Sequence, residues 1–145
     1  MEALLNQGKH LILDRYAFSG VAYSAAKGLP HLSRSWCAAV DRGLIAPDAV
    51  FFLQVDTAAA QARADYGAER YEKVEMQKRV AEEFRSLHDA TFHVIDASGS
   101  VAEVHSRVRA VAEAVLARRD AGQLPLRQLW ADALPGEDAV PPGGP

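Results

Sequence analysis

The stretch Ala49-Val50-Phe51-Phe52-Leu53-Gln54-Val55 constrains the fold more than any other. It is apolar at nearly every position rather than at alternate ones, the pattern of a strand covered on both faces rather than one with a wet side. Pro47-Asp48 turns the chain into it. Two shorter runs, Lys9-His10-Leu11-Ile12-Leu13-Asp14 and Thr91-Phe92-His93-Val94-Ile95-Asp96, also read as strands. Elsewhere the apolar spacing is helical. Phe18 to Lys27 begins helical and is broken by Gly28-Leu29-Pro30. Ser33 caps a helix that carries Trp36, Cys37 and Val40 inward and stops at Gly43, with Trp36 expected in the core. Asp56-Thr57 offers caps for an alanine-rich helix through Ala64. Met76, Val80, Phe84 and Leu87 form one stripe of a long helix, with Glu75 and Arg79 positioned to pair outside it. Ser100-Val101-Ala102-Glu103 is a capping box, and Val101, Val104, Val108, Val111 and Val115 form the seam of a last helix running to about Arg119. Strands alternating with helices predict an α/β domain with a parallel sheet and right-handed connections.

At 145 residues the chain is one domain at most. Its 49% apolar and 24% charged residues are ordinary for a globular protein, and a net charge of −3 argues against a nucleic-acid or membrane-surface binder. One cysteine excludes an internal disulfide, and no Cys/His spacing suits zinc. Cys37 reads as a small buried hydrophobe. The N-terminus has neither the basic start nor the apolar centre of a signal peptide, so a cytoplasmic protein without a membrane span is the expectation. Ala131 to Pro145, rich in proline and glycine, is expected to be a disordered tail behind a domain spanning residues 1–130. Within that domain, Leu124 to Trp130 is expected to dock a last turn.

Chemistry gathers where the first apolar run ends, at Asp14-Arg15-Tyr16-Ala17-Phe18-Ser19-Gly20-Val21-Ala22-Tyr23. Ligands of open parallel sheets bind outside the carboxyl ends of the strands. There Asp14 can hold a cation or orient a water, and Arg15 can grip an oxyanion through its planar fork. Ser19-Gly20 lets backbone approach a ligand closely. Taken alone, an Asp-Arg pair after a strand is more often a solvated turn. The whole decapeptide, however, closely resembles the Asp-Arg-Tyr segment of the eukaryotic-type thymidylate kinases, and the likeness continues to Trp130.

That resemblance implies the P-loop kinase fold, a three-layer α/β/α arrangement around a five-stranded parallel sheet, here without its first two strands. It implies ATP-dependent phosphorylation of dTMP to dTDP in dTTP biosynthesis, with ATP and Mg2+ as cofactors. In this likeness Asp14 supports the magnesium shell indirectly and Arg15 contacts the acceptor's phosphate. Ser19, Gly20 and Tyr23 line the thymine and sugar side, with Tyr23 standing where relatives often have phenylalanine. Residues 63–72 resemble the mobile lid: Arg63 and Arg70 approach the phosphates, Tyr71 the acceptor nucleoside, and Gln77 the same pocket. Gly99 and Arg109 match positions on the adenine side of the donor, with Gly99 replacing a frequent lysine. Arg109 also flanks the valine seam as any exposed arginine would. A homodimer is implied, in the cytoplasm or nucleus.

No Gly-x-x-x-x-Gly-Lys-Ser/Thr occurs in the 145 residues. In the family that loop lies ahead of the matched region, on a central strand flanked by the equivalents of Lys9–Asp14 and Ala49–Val55. The expectation is therefore the C-terminal part of such a kinase, with turnover by this chain in doubt and two strands left unpaired. Such a chain is expected to be poorly folded unless its strands re-pair or a partner fills the gap. The alternative is a non-catalytic nucleotide-binding or interaction remnant of the same fold.

Overall fold

The computed structural model describes residues 1–55 and 70–135, with side chains in the second stretch from Glu75 onward. Five helices and two strands occur among these residues: α1 (Glu2–Asn6), α2 (Ala17–Ala25), α3 (Arg34–Ala39), β1 (Val50–Gln54), α4 (Arg70–Ser86), β2 (Phe92–Asp96) and α5 (Val101–Asp120). The chain divides into two compact units. Met1–Ala46, Tyr71–His88 and the residues from Arg127 form a helical unit, and Pro47–Arg70 with Asp89–Leu126 form a sheet unit.

In the helical unit, α2 turns one stripe inward: Phe18, Val21 and Ala22 at intervals of three and four are buried, Val21 and Ala22 completely. α3 packs on α2. The Ser33 hydroxyl caps α3 by accepting from the Trp36 N–H at 3.2 Å. Cys37 and Ala38 are buried, but Trp36 is 57% exposed and Val40 77% exposed, against the inward placement expected of both. Trp36 and Val40, the latter capping the six-residue helix at its C-terminus, lie one turn apart and share its outer face. The α4 stripe forms as predicted, with Val80 and Leu87 buried and Met76 and Phe84 half-buried. Arg34 and Glu83 join α3 to α4 through a 2.8 Å ion pair. Glu75 pairs with Lys78 at 2.9 Å rather than with Arg79, because a residue three positions on is an equally close helical neighbour.

The chain re-enters this unit at Arg127. Ala46 donates to the Arg127 carbonyl at 2.8 Å, Gly43 to that of Leu129 at 2.9 Å, and Leu129 to that of Leu44 at 2.6 Å. Ile45 and Gln128 thus form an antiparallel bridge. Leu129 is buried, and the Trp130 ring meets Phe18 edge-on at 5.6 Å. Leu134, beyond the domain boundary expected at Trp130, is buried as well; residues 136–145 lie outside the described residues.

The sheet unit pairs β1 with β2 in parallel, from Val50 opposite Phe92 to Gln54 opposite Asp96. The capping box at Ser100 is complete, and α5 packs on β2. Val104, Val108, Val111 and Val115 are half-buried, whereas Val101, in the first turn, is 88% exposed. Leu53 is about half exposed, so β1 is not covered on both faces as its composition suggested, and Val94 of β2 is about half exposed as well.

The largest departure is the segment expected to be the first strand. Residues 9–13 enter no helix or strand, Ile12 is 99% exposed, and Leu13 is also exposed. An extended backbone becomes a strand only with a ladder partner, and among the described residues none pairs with it. Its first residue is tied back to α1, the Lys9 N–H donating to the Leu4 carbonyl at 3.0 Å. What is forgone is apolar burial, about 1.5–3 kcal/mol for a side chain such as Ile12.

Candidate functional site

The Asp14-Arg15 turn lies between that extended segment and α2. Arg15 has φ 67°, the left-handed region that normally belongs to glycine, at a cost of about 1–2 kcal/mol. Its guanidinium carbon sits 5.2 Å from the centroid of the Tyr23 ring, within cation–π range. Tyr23 in turn meets the Phe84 ring of α4 edge-on, at 6.5 Å and 88°. Both Asp14 and Arg15 are exposed.

The buried stripe of α2 dictates what its other face can offer. With Phe18, Val21 and Ala22 inward, Gly20 and Tyr23 face outward and Ser19 is half-buried. The Ser19 N–H donates to the Tyr16 carbonyl at 3.0 Å, closing the first turn. A Cβ added at Gly20 would meet nothing within 4 Å, so the backbone there borders open space. Tyr16 and Phe18 are packing residues: the Tyr16 hydroxyl donates to the Ile45 carbonyl at 3.1 Å, and Phe18 is 4% exposed. Burial, and then the Asp41 carboxylate, push the Tyr16 pKa up. Burial and Glu83 likewise raise the Cys37 thiol against the opposing pull of Lys27, so it stays protonated and inert.

Arg15, Ser19, Gly20 and Tyr23 thus share one outer surface in the helical unit. Gln77 lies on α4 and is exposed; it stands seven residues before Phe84, on the same helix face about 10 Å away. Arg70 and Tyr71 open α4, but their side chains lie outside the described residues, as does Arg63 entirely.

Gly99 and Arg109 belong to the sheet unit. A Cβ at Gly99 would come within 2.8 Å of the Glu103 Oε2, the oxygen that accepts from the Ser100 N–H in the capping box. Arg109 is exposed and paired with Glu113 at 2.7 Å, one turn along α5. At the end of β2, Asp96 accepts from the Ser98 N–H at 2.9 Å, which holds its pKa below the usual carboxylate range. Arg107 donates to the Asp96 carbonyl at 2.5 Å. Neither Arg107 nor the pairing of Phe84 with Tyr23 was visible in the sequence: residues 23 and 84 share no periodic relation, and Phe84 fits the core stripe equally well.

Among the described residues no three His, Cys, Asp or Glu side chains gather around a common point. Asp14 offers a single exposed carboxylate. That donor set suits Mg2+, which keeps most of its waters and binds through one or two carboxylates together with substrate phosphates.

The profile of the thymidylate kinase family matches residues 1–108. The chain is 42% identical over 131 residues to the thymidylate kinase of Arabidopsis thaliana, an alignment covering 90% of this chain and 48% of that protein. It is 43% identical over 129 residues to the Homo sapiens thymidylate kinase, covering 87% of this chain and 59% of that one. The chain therefore spans roughly half the length of the relatives it matches. The solved thymidylate kinase of Candida albicans superimposes with a TM-score of 0.66 at 28% identity, over 88% of this chain and 64% of that one. The likeness thus extends from the Asp-Arg turn through both strands of the sheet, and on these grounds the chain belongs to the thymidylate kinase family, with its P-loop kinase fold.

Proposed function

We propose that the chain supplies the acceptor side of a nucleoside monophosphate kinase site, at which the γ-phosphoryl of ATP passes to dTMP and yields dTDP for dTTP synthesis. Phosphoryl transfer asks the protein mainly for positioning and positive charge. The observation that carries the reading is Arg15, an exposed arginine held at φ 67° with its guanidinium over an exposed tyrosine ring. Strain of this kind clusters at ligand sites, where a fixed geometry is worth its cost. Arg15 grips the acceptor phosphate, and Asp14 would support the magnesium shell indirectly. When bound, Mg2+ neutralises phosphate charge. Ser19, Gly20 and Tyr23 take the thymidine side with Tyr71 and Gln77. Arg63 and Arg70 reach the phosphates, and Gly99 and Arg109 face the adenine of ATP. An intact member of the family forms a homodimer, in the cytoplasm or nucleus; no described helix is long and apolar enough to cross a membrane.

Calorimetry with dTMP beside a coupled ADP-release assay tests this on the 145-residue chain. Binding of dTMP that Arg15→Ala abolishes is expected; the absence of both heat and ADP release would overturn the reading. Binding without turnover would favour the second reading, a nucleotide-binding remnant. That reading is supported by the lack of a Gly-x-x-x-x-Gly-Lys-Ser/Thr stretch within these residues.

A further inference from the structure

We infer that Phe84 is a positioning residue for the anion site: its ring fixes Tyr23, and Tyr23 fixes the Arg15 guanidinium. The inference rests on the acceptor-site reading for its meaning but not for its geometry. Three groups from three places in the chain stand in series. The Arg15 guanidinium lies 5.2 Å from the Tyr23 centroid, and the Tyr23 ring stands nearly perpendicular to that of Phe84 at 6.5 Å. Each contact alone is modest. A cation–π pair at an exposed site contributes about 0.5–1 kcal/mol, and an edge-to-face aromatic pair about 0.5–1.5 kcal/mol.

Position gives the series its effect. Arg15 is exposed and has several rotatable bonds, and Tyr23 is 43% exposed, so neither is held by a surrounding core. Phe84 is half-buried and rides on a helix that is itself anchored. Val80 of α4 and Leu87, just past its end, are buried, and the neighbouring Glu83 is locked to Arg34 of α3 at 2.8 Å. Phe84 is therefore the fixed end of the series and Arg15 the free end. The order Phe84, Tyr23, Arg15 carries the rigidity of α4 to the turn that precedes α2. A guanidinium held in place loses less freedom on gripping an anion than a mobile one does.

The test uses the full chain and three variants. Phe84→Met keeps a long apolar side chain and removes the ring, Phe84→Tyr keeps the ring, and Tyr23→Leu removes the middle of the series. In the unliganded wild type, NMR should show Arg15 side-chain protons shifted upfield by the Tyr23 ring, with cross-peaks between Tyr23 and Phe84. Phe84→Met should move the Arg15 protons toward ordinary values and weaken dTMP binding about two- to tenfold, the size of one aromatic pair. Phe84→Tyr should restore both. Phe84→Met added to Tyr23→Leu should change neither further. Unshifted Arg15 protons in the wild type overturn the inference, as does a Phe84→Met chain whose thermal transition is intact and whose Arg15 protons have not moved. Should Phe84→Met fail to fold, the wild-type cross-peaks decide. A wild type that shows the shift but binds no dTMP sinks the acceptor-site reading and leaves the positioning of Arg15 standing.

Discussion

The helical and sheet units differ in how much they bury. The helical unit has Phe18, Val21, Ala22, Cys37, Ala38, Val80, Leu87, Leu129 and Leu134 among its buried apolar side chains. Among the described residues the sheet unit has Ile95, Ala97 and Leu124, and it leaves Leu53 and Val94 about half exposed. The residues expected to meet dTMP stand on the better-packed unit, whereas Gly99 and Arg109 stand on the other, at a capping box and in an exposed helix pair. The helical unit has a core to hold its side chains in place; around Gly99 and Arg109 the contacts are mainly local hydrogen bonds.

If that contrast is real, Leu129→Ala should be the most damaging change. It removes a buried side chain that pins the returning C-terminal segment, and a loss of about 2–5 kcal/mol is expected by chemical denaturation. A loss under half of that would mean that the segment contributes little to the packing of the helical unit. Arg15→Gly should separate function from stability. It relieves a left-handed residue and stabilises by about 1 kcal/mol, yet calorimetry should find dTMP binding gone. Equal or lower stability would mean that the turn is not strained.

In the sheet unit, Ser100→Ala should cost about 1 kcal/mol through loss of the helix cap. The cap also predicts a pH dependence. Hydrogen bonds from Ser100 lower the Glu103 pKa below its ordinary 4.5, so this stabilisation is fully present above that pH and is lost as pH falls through the lowered value. Acid titration of stability should therefore close the gap between wild type and Ser100→Ala, and a gap that widens in acid would contradict the assignment. The smallest effect is expected at Gly20→Ala. A methyl group there meets nothing within 4 Å, so helix propensity should raise stability by about 0.5–1 kcal/mol. Weaker dTMP binding in the same variant would place the ligand against that backbone, and unchanged binding would remove Gly20 from the site.

Legibility followed the range of the interactions. The Ser33 cap, the Ser100–Glu103 box, the α4 stripe and the two strands at residues 50–54 and 92–96 depend on neighbours within a turn or on composition, and each was readable. Trp36, Val40 and Val101 were misplaced because periodicity gives the spacing of a face but not which face a short helix or first turn presents. Leu11-Ile12-Leu13 has the composition of a strand and none of the pairing, which only a second segment could provide. The lid expected over residues 63–72 falls largely outside the described residues.

The residues by themselves determined the α/β alternation, the helix caps and the Asp-Arg turn that leads into α2, because each follows from local pattern or from the chemistry of one side chain. Only the tertiary structure decided that Trp130 packs on Phe18, that Arg15 adopts a left-handed backbone, and that its guanidinium, Tyr23 and Phe84 stand in series. Those contacts join positions far apart in the chain, and their geometry is set by which helix faces the core leaves outward, a quantity that no local spacing contains.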